Sequence, residues 1–268
     1  MNNYIPEVNE LVSPTLGKSM INLPEREGGA KTGSQIGQTL LGLSGQPRDD
    51  YFIKEILSGN IPDSVRNFTP VTVLAQGNLL KYYVSPDVLS VGSNDDYLRI
   101  SLNGRSAKRL LDQINCTMPT KKMCDDIWRL ADLKLNPRPM GASLNMMGTQ
   151  ILVNHNAEIN KQIAGRPFTL LTGTKKDTVI DKALLTHKNN VGIYGWFNPN
   201  TGVAIQGPQP NCTSHSIDYQ DYSSSIRICL RNATLNDKPV DLFDILLDDS
   251  LCYLVSEQGG YDARSIYS

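Results

Sequence analysis

The sequence predicts an α+β fold: a mostly antiparallel sheet with a central helical pair and an extended N-terminal arm. Three observations carry this. Strand-like runs predominate, helix-period patterns cluster mid-chain, and no regular strand–helix–strand repeat is present. At 268 residues the chain suffices for one large domain or two small ones. The patterning divides it into an arm over 1–48 and one α+β domain over 49–268.

The arm reading rests on Pro6, Pro14 and Pro24 and on the glycine-rich run GGAKTGSQIGQ, which has little periodicity. From Arg48, the residues Tyr51, Ile53, Ile56 and Leu57 give one apolar helix face, with Gly59 as its stop. Runs at 71–75 and 79–84 flank Gln76, Gly77 and Asn78 as a hairpin, and SNDDYLRISL offers a turn and a further strand. The helical pair follows. One member has Ser106 as N-cap and Ala107, Leu110, Leu111 and Ile114 on one face. The other starts near Thr120, with Met123, Ile127, Leu130 and Ala131 at helical spacing. PRPMGASLNMMG reads as a loop, and 158–164 as a short helix. Strands are expected at 169–172, 178–180, 191–196, 203–205 and 226–230, before a terminal helix in VDLFDILLDDSLCYLVS.

Net charge is −1 and the isoelectric point near 6.3, so there is no electrostatic case for nucleic acid. No apolar run approaches the ~20 residues of a membrane span. The N-terminus lacks the charged and apolar regions of a secretory signal, so the expected location is the cytoplasm or a virion. Five cysteines, odd in number and without C-x-x-C spacing, read as reduced structural thiols.

The chemistry-bearing residues concentrate in TSHSIDYQDYSSSIRICL, which begins at Thr213. If its strand extends back to Asp221, a period of two places Asp221, Ser223, Ser225 and Arg227 on one face, with Ile226 and Ile228 in the core. Cys212 and His215 form C-x-x-H, half of a zinc site without a second close pair, so neither metal nor cofactor is expected. Cys212 as nucleophile with His215 as base stands against a loop thiol beside a satisfied histidine. Lys175 and Lys176, before Asp177, read as a solvated turn or as an anion-binding pair. Asp95 and Asp96 read as turn residues, and Tyr194 and Trp196 as core or as the wall of a cleft.

The motifs GNIPDSVR, VGSNDDYLRISL, MPTKKMCDDIW, His155–Asn156, GTKKDTVI, VGIYGWF, AIQGP and SHSIDYQDYSSSIRI, in this order, resemble those of a family of uncharacterised bacterial and phage-type proteins of hydrolase-like appearance. The resemblance runs from about Arg48 to the C-terminus and implies that the functional region lies between His155 and Arg227. It matches at His155, Lys175, Lys176, Asp177, Gln206, His215, Tyr219, Asp221, Tyr222, Ser223 and Arg227. It departs at Thr174, Phe197 and Ser224, where the relatives tend to carry histidine, the side chain that titrates near neutrality.

Two functions are thereby expected. The first is a non-catalytic structural or binding protein, a phage virion or envelope component on a degenerate hydrolase-like domain, whose arm orders on protein assembly partners. The alternative is a hydrolase acting on cell-wall type material. In it His215 is the general base, Asp221 orients it or a neighbour, Arg227 or Lys175 stabilises negative charge, and the other matched residues bind substrate.

Overall fold

The computed structural model describes residues 21–141, 145–203 and 212–268. It is an α+β arrangement with seven α-helices among these residues and mostly antiparallel sheets. Helix α1, Gly33–Thr39, opens on a reciprocal cap: the Thr32 hydroxyl accepts from the Gln35 N–H, and the Gln35 side chain accepts from the Thr32 N–H. This corrects the arm from Ile21 onwards, because Ile21, Ile36 and Leu40 are buried in the main core. The glycines there serve close packing. A Cβ at Gly33 would lie 2.4 Å from the Leu98 backbone nitrogen, and one at Gly37 would lie 2.8 Å from Val153 Cγ2. The part of the expected arm over 1–20 lies outside the described residues.

Helix α2 spans Gly45–Leu57, and Gly59 beyond it adopts φ +83°, as its role as a stop requires. A single helical turn, α3, Asp63–Arg66, leads into β1, Thr69–Ala75, and β2, Asn78–Val84. These strands pair antiparallel through the two-residue turn Gln76–Gly77, both at positive φ. A short ribbon, β3 (Ser90–Gly92) with β4 (Tyr97–Arg99), precedes the helical pair. In that pair, α4 is Gly104–Gln113 and α5 is Lys121–Leu130, with β5, Cys116–Thr117, between them. The start of α5 near Thr120 is as expected, and Thr120 caps it, whereas the cap of α4 is Asn103 and not Ser106, whose N–H the Asn103 side chain accepts.

After β6, Leu133–Lys134, comes α6, Thr149–Ile163, which starts nine residues before the expected helix and so carries His155 and Asn156. The remaining strands are β7, Leu171–Thr172; β8, Lys176–Val179; β9, Asn190–Gly195; β10, Cys212–Ser216; and β11, Ser224–Ser225. Then follow β12, Cys229–Leu230; β13, Asn232–Leu235; β14, Lys238–Asp241; and helix α7, Leu242–Leu247. Val203 is not in a strand, and the rest of the expected 203–205 strand lies outside the described residues.

The larger sheet runs β14–β13–β2–β12–β5, with β1 also paired to β2, and is antiparallel throughout. Its Val71, Val73, Leu80, Tyr82 and Val84 enter a core shared with α1, α2, α4 and α7. The smaller sheet runs β10–β9–β8–β11 and is antiparallel except for the β11–β8 pair. No helix among the described residues is long and apolar enough to cross a membrane.

Candidate functional site

The sequence candidates gather around β8 and the turn that precedes β11. The strand expected over 226–230, with its extension back to Asp221, is corrected here: residues 221–223 form a turn, and pairing is confined to Ser224–Ser225 and Cys229–Leu230, which belong to different sheets. Asp221 causes the turn. Its Oδ1 accepts the Ser223 N–H at 2.9 Å, the Ser223 hydroxyl at 2.7 Å and the Ser224 hydroxyl at 3.0 Å. The Lys176 N–H then donates to the Ser223 carbonyl at 2.7 Å, and the Ser225 hydroxyl donates to the Lys176 carbonyl at 2.9 Å. The crowded polar run is thus stitched to β8 by its own side chains.

An inner layer contains His155, Lys175, Tyr222 and Trp196, all buried. His155 Nδ1 lies 3.3 Å from Lys175 Nζ, and Lys175 also donates to the Tyr222 carbonyl. The His155 ring meets Tyr222 edge-on at 4.9 Å and Trp196 at 6.0 Å. Burial disfavours both cations. It lowers Lys175 to about 7, Arg99 and Arg48 lowering it further while Asp221 and Asp87 oppose. Burial likewise lowers His155 to about 2, with the Lys175 and Arg99 charges acting in the same direction. At neutral pH the imidazole is therefore neutral and the amine is poised between its two forms.

An outer layer is partly open to solvent. Asp221 Oδ2 accepts the Tyr219 hydroxyl at 2.9 Å and lies 3.8 Å from Lys176 Nζ. Burial would raise this carboxyl, but Lys176 and the hydroxyl donors hold it below the usual carboxylate range. His215, on β10, stacks on Tyr219 at 4.0 Å with an 8° interplanar angle. Partial burial and the Lys176 charge lower its pKa. Lys176 lies 5.8 Å above the Trp196 ring. Trp196 itself sits at φ +62°, a left-handed conformation costing about 1–3 kcal/mol in a bulky residue, and its indole N–H donates to the Gly173 carbonyl at 3.0 Å.

Two candidates belong elsewhere. Arg227 is buried and donates to the carbonyls of Ser85 at 2.8 Å, Pro86 at 3.0 Å and Leu171 at 3.0 Å, so it ties the segment after β2 to β7 and makes no bond to Asp221. Asp177, a buried residue of β8 itself, accepts from the Ser225 hydroxyl at 3.2 Å and lies 3.8 Å from Cys124 Sγ. Burial raises its carboxyl, against the pull of Arg227. Gln206 and the side chain of Cys212 lie outside the described residues.

Cys116, Cys124, Cys229 and Cys252 are buried and free, and burial pushes each thiol up, away from a nucleophilic thiolate. Among the described residues no group of three or more His, Cys, Asp or Glu side chains is placed to hold a metal ion. The sequence reading missed a buried ion pair behind the inner layer: Arg99 to Asp87 at 2.7 Å, with Arg99 also donating to Asn156 at 3.0 Å and Asn160 at 2.8 Å. The motif Asp95-Asp96-Tyr97-Leu98-Arg99 gave no signal for it, since an arginine on a three-residue strand reads as solvated.

No protein-family model, no curated protein and no solved structure matches this chain.

Proposed function

We propose that this chain is a non-catalytic structural or binding protein, a phage virion or envelope component built on a degenerate hydrolase-like domain. One observation carries the reading: the groups that hydrolysis would use are committed to internal bonds. Arg227 is spent on three backbone carbonyls, and Asp221 on hydroxyls and an amide of its own turn. His155 stays neutral across the physiological range. What remains accessible is His215 stacked on Tyr219 above Asp221 and Lys176, a surface suited to contact with a partner. Residues 1–20 would supply the assembly contact, since the next segment is already packed in the core.

The hydrolase reading is kept alive by Lys175. An amine near pH 7 can accept a proton at neutrality, and it lies beside an imidazole. The deciding experiment follows dye release from labelled peptidoglycan and measures solution mass. The proposal expects no release, and a defined oligomer that is lost when residues 1–20 are deleted. Release that disappears in His215→Ala and Asp221→Asn would replace the proposal with the enzyme.

A further inference from the structure

We propose that the groove between α3, the turn joining β3 to β4 and the segment after α6 binds a neutral saccharide of one or two rings. The groove encloses about 680 Å3, within the roughly 300–1,000 Å3 range of small-molecule sites. It is lined by two aromatic rings, Tyr97 and Phe168, and by five polar side chains, Asp63, Ser64, Asn94, Asp95 and Arg166.

Phe168 is the first reason for this assignment. It is 53 % exposed, and it is the only phenyl or indole ring among the large hydrophobic side chains exposed in the described residues. Gly165, at φ +73°, turns the chain out of α6 so that residues 166–168 run along the groove wall. A solvated ring in a concave wall offers a flat apolar face, the complement of the C–H face of a pyranose.

The polar groups are the second reason. Sugar hydroxyls both donate and accept, and they are best met by planar groups with two atoms in a fixed fork: carboxylate, amide and guanidinium. All three types line this groove. Two of them are set in advance, because the Asp63 N–H donates to Asn94 Oδ1 at 2.7 Å and Asn94 Nδ2 donates to Asp63 Oδ2 at 3.0 Å. Acceptors fixed before binding lower the ordering cost that a ligand must meet. Tyr97 is held likewise, its hydroxyl accepting from Arg99 at 3.0 Å with the Arg99 guanidinium 4.8 Å from its ring.

The charge pattern argues for a neutral ligand. A cation would find Asp63 and Asp95 but would also meet Arg166, and an anion would face the two carboxylates. Hydroxyl groups can use every one of them. The assignment does not depend on whether the His155–Lys175 cluster has any chemistry.

The test is saturation-transfer NMR on the full chain with cellobiose, maltose and N,N′-diacetylchitobiose at millimolar concentration, and with a tri-lysine peptide. Expected is transfer to the ring protons of at least one disaccharide. Its affinity should fall about tenfold in Phe168→Ala, the loss of one stacking contact. Because Phe168 is exposed, circular dichroism should show that variant folded as the parent is. Asp95→Asn, which keeps the planar fork and removes the charge, should retain binding. No transfer to any disaccharide overturns the proposal, as does transfer unchanged in Phe168→Ala. Binding of tri-lysine alone overturns it in favour of a cation site.

Discussion

The hairpin Thr69–Val84 and the polar run Asp221–Arg227 are both largely buried, but different forces hold them. In the hairpin, seven residue pairs keep one register, and burial of Val71, Val73, Leu80, Tyr82 and Val84 stabilises it. In the polar run, side chains make the bonds that a regular ladder would have made: Asp221 organises its own turn, Ser225 fastens β8, and Arg227 reaches across to two other segments. The first region depends on volume, where a similar side chain can substitute. The second depends on individual atoms, where the loss of one leaves another polar group buried without a partner. Groups held in the second way are fixed in place by their partners, so a change at one is felt by the next.

The sharpest way to break this comparison is to remove one member of the buried ion pair behind the polar layer. Asp87→Ala leaves the Arg99 guanidinium buried and unpaired, and urea denaturation should show a loss of about 3–5 kcal/mol. In the hairpin, Leu80→Ala should cost about 3 kcal/mol in the same assay, while Leu80→Met should cost less than about 1.5 kcal/mol. Equal tolerance of Asp221→Ala and Leu80→Met would erase the distinction drawn between the two regions.

Lys175 supplies a pH signature. Its folded pKa, about 7, lies below the unfolded value of 10.5, so above pH 7 the unfolded chain binds the proton more strongly. Relative to Lys175→Met, the parent should therefore gain stability as pH rises from 7 to 8.5, by about 1–2 kcal/mol. A constant difference between the two proteins over that window would show that the amine is not desolvated. The smallest effect is expected from Thr120→Ala, which removes the cap accepting the Met123 N–H at 3.2 Å and should cost about 1 kcal/mol.

What was legible in the sequence divides along the same line. The hairpin, the helix start near Thr120 and the Gly59 stop were readable because period-two alternation and turn chemistry are local signals, although Asn78 was read into the turn and pairs with Ala75 instead. Ile226 and Ile228 were correctly placed in the core. Helix α6 was read too short because His155 and Asn156 interrupt the apolar pattern of its buried face. The N-terminal glycines were read as a linker, since no local pattern reports that Gly33 must pass against the backbone of Tyr97 and Leu98. In the candidate site, Lys175, Lys176, Tyr219, Asp221 and His215 were singled out by residue type, but their partners were not legible. Whether a carboxylate turns its own loop or faces a ligand depends on backbone geometry, and residue type alone does not encode that.

One further feature bears on how this chain is made. The Tyr267 hydroxyl accepts the Gly192 N–H and donates to the Val179 carbonyl, bridging the end of the β8–β9 ladder from a residue that follows every strand. On the ribosome, the larger hairpin can close as soon as residue 84 has emerged. The smaller sheet waits for a bolt delivered 72 residues after β9 ends, at Gly195. The end of the β8–β9 ladder is thus fastened only late in synthesis, and a nascent chain stalled before Tyr267 would leave the Gly192 N–H and the Val179 carbonyl without that bridge.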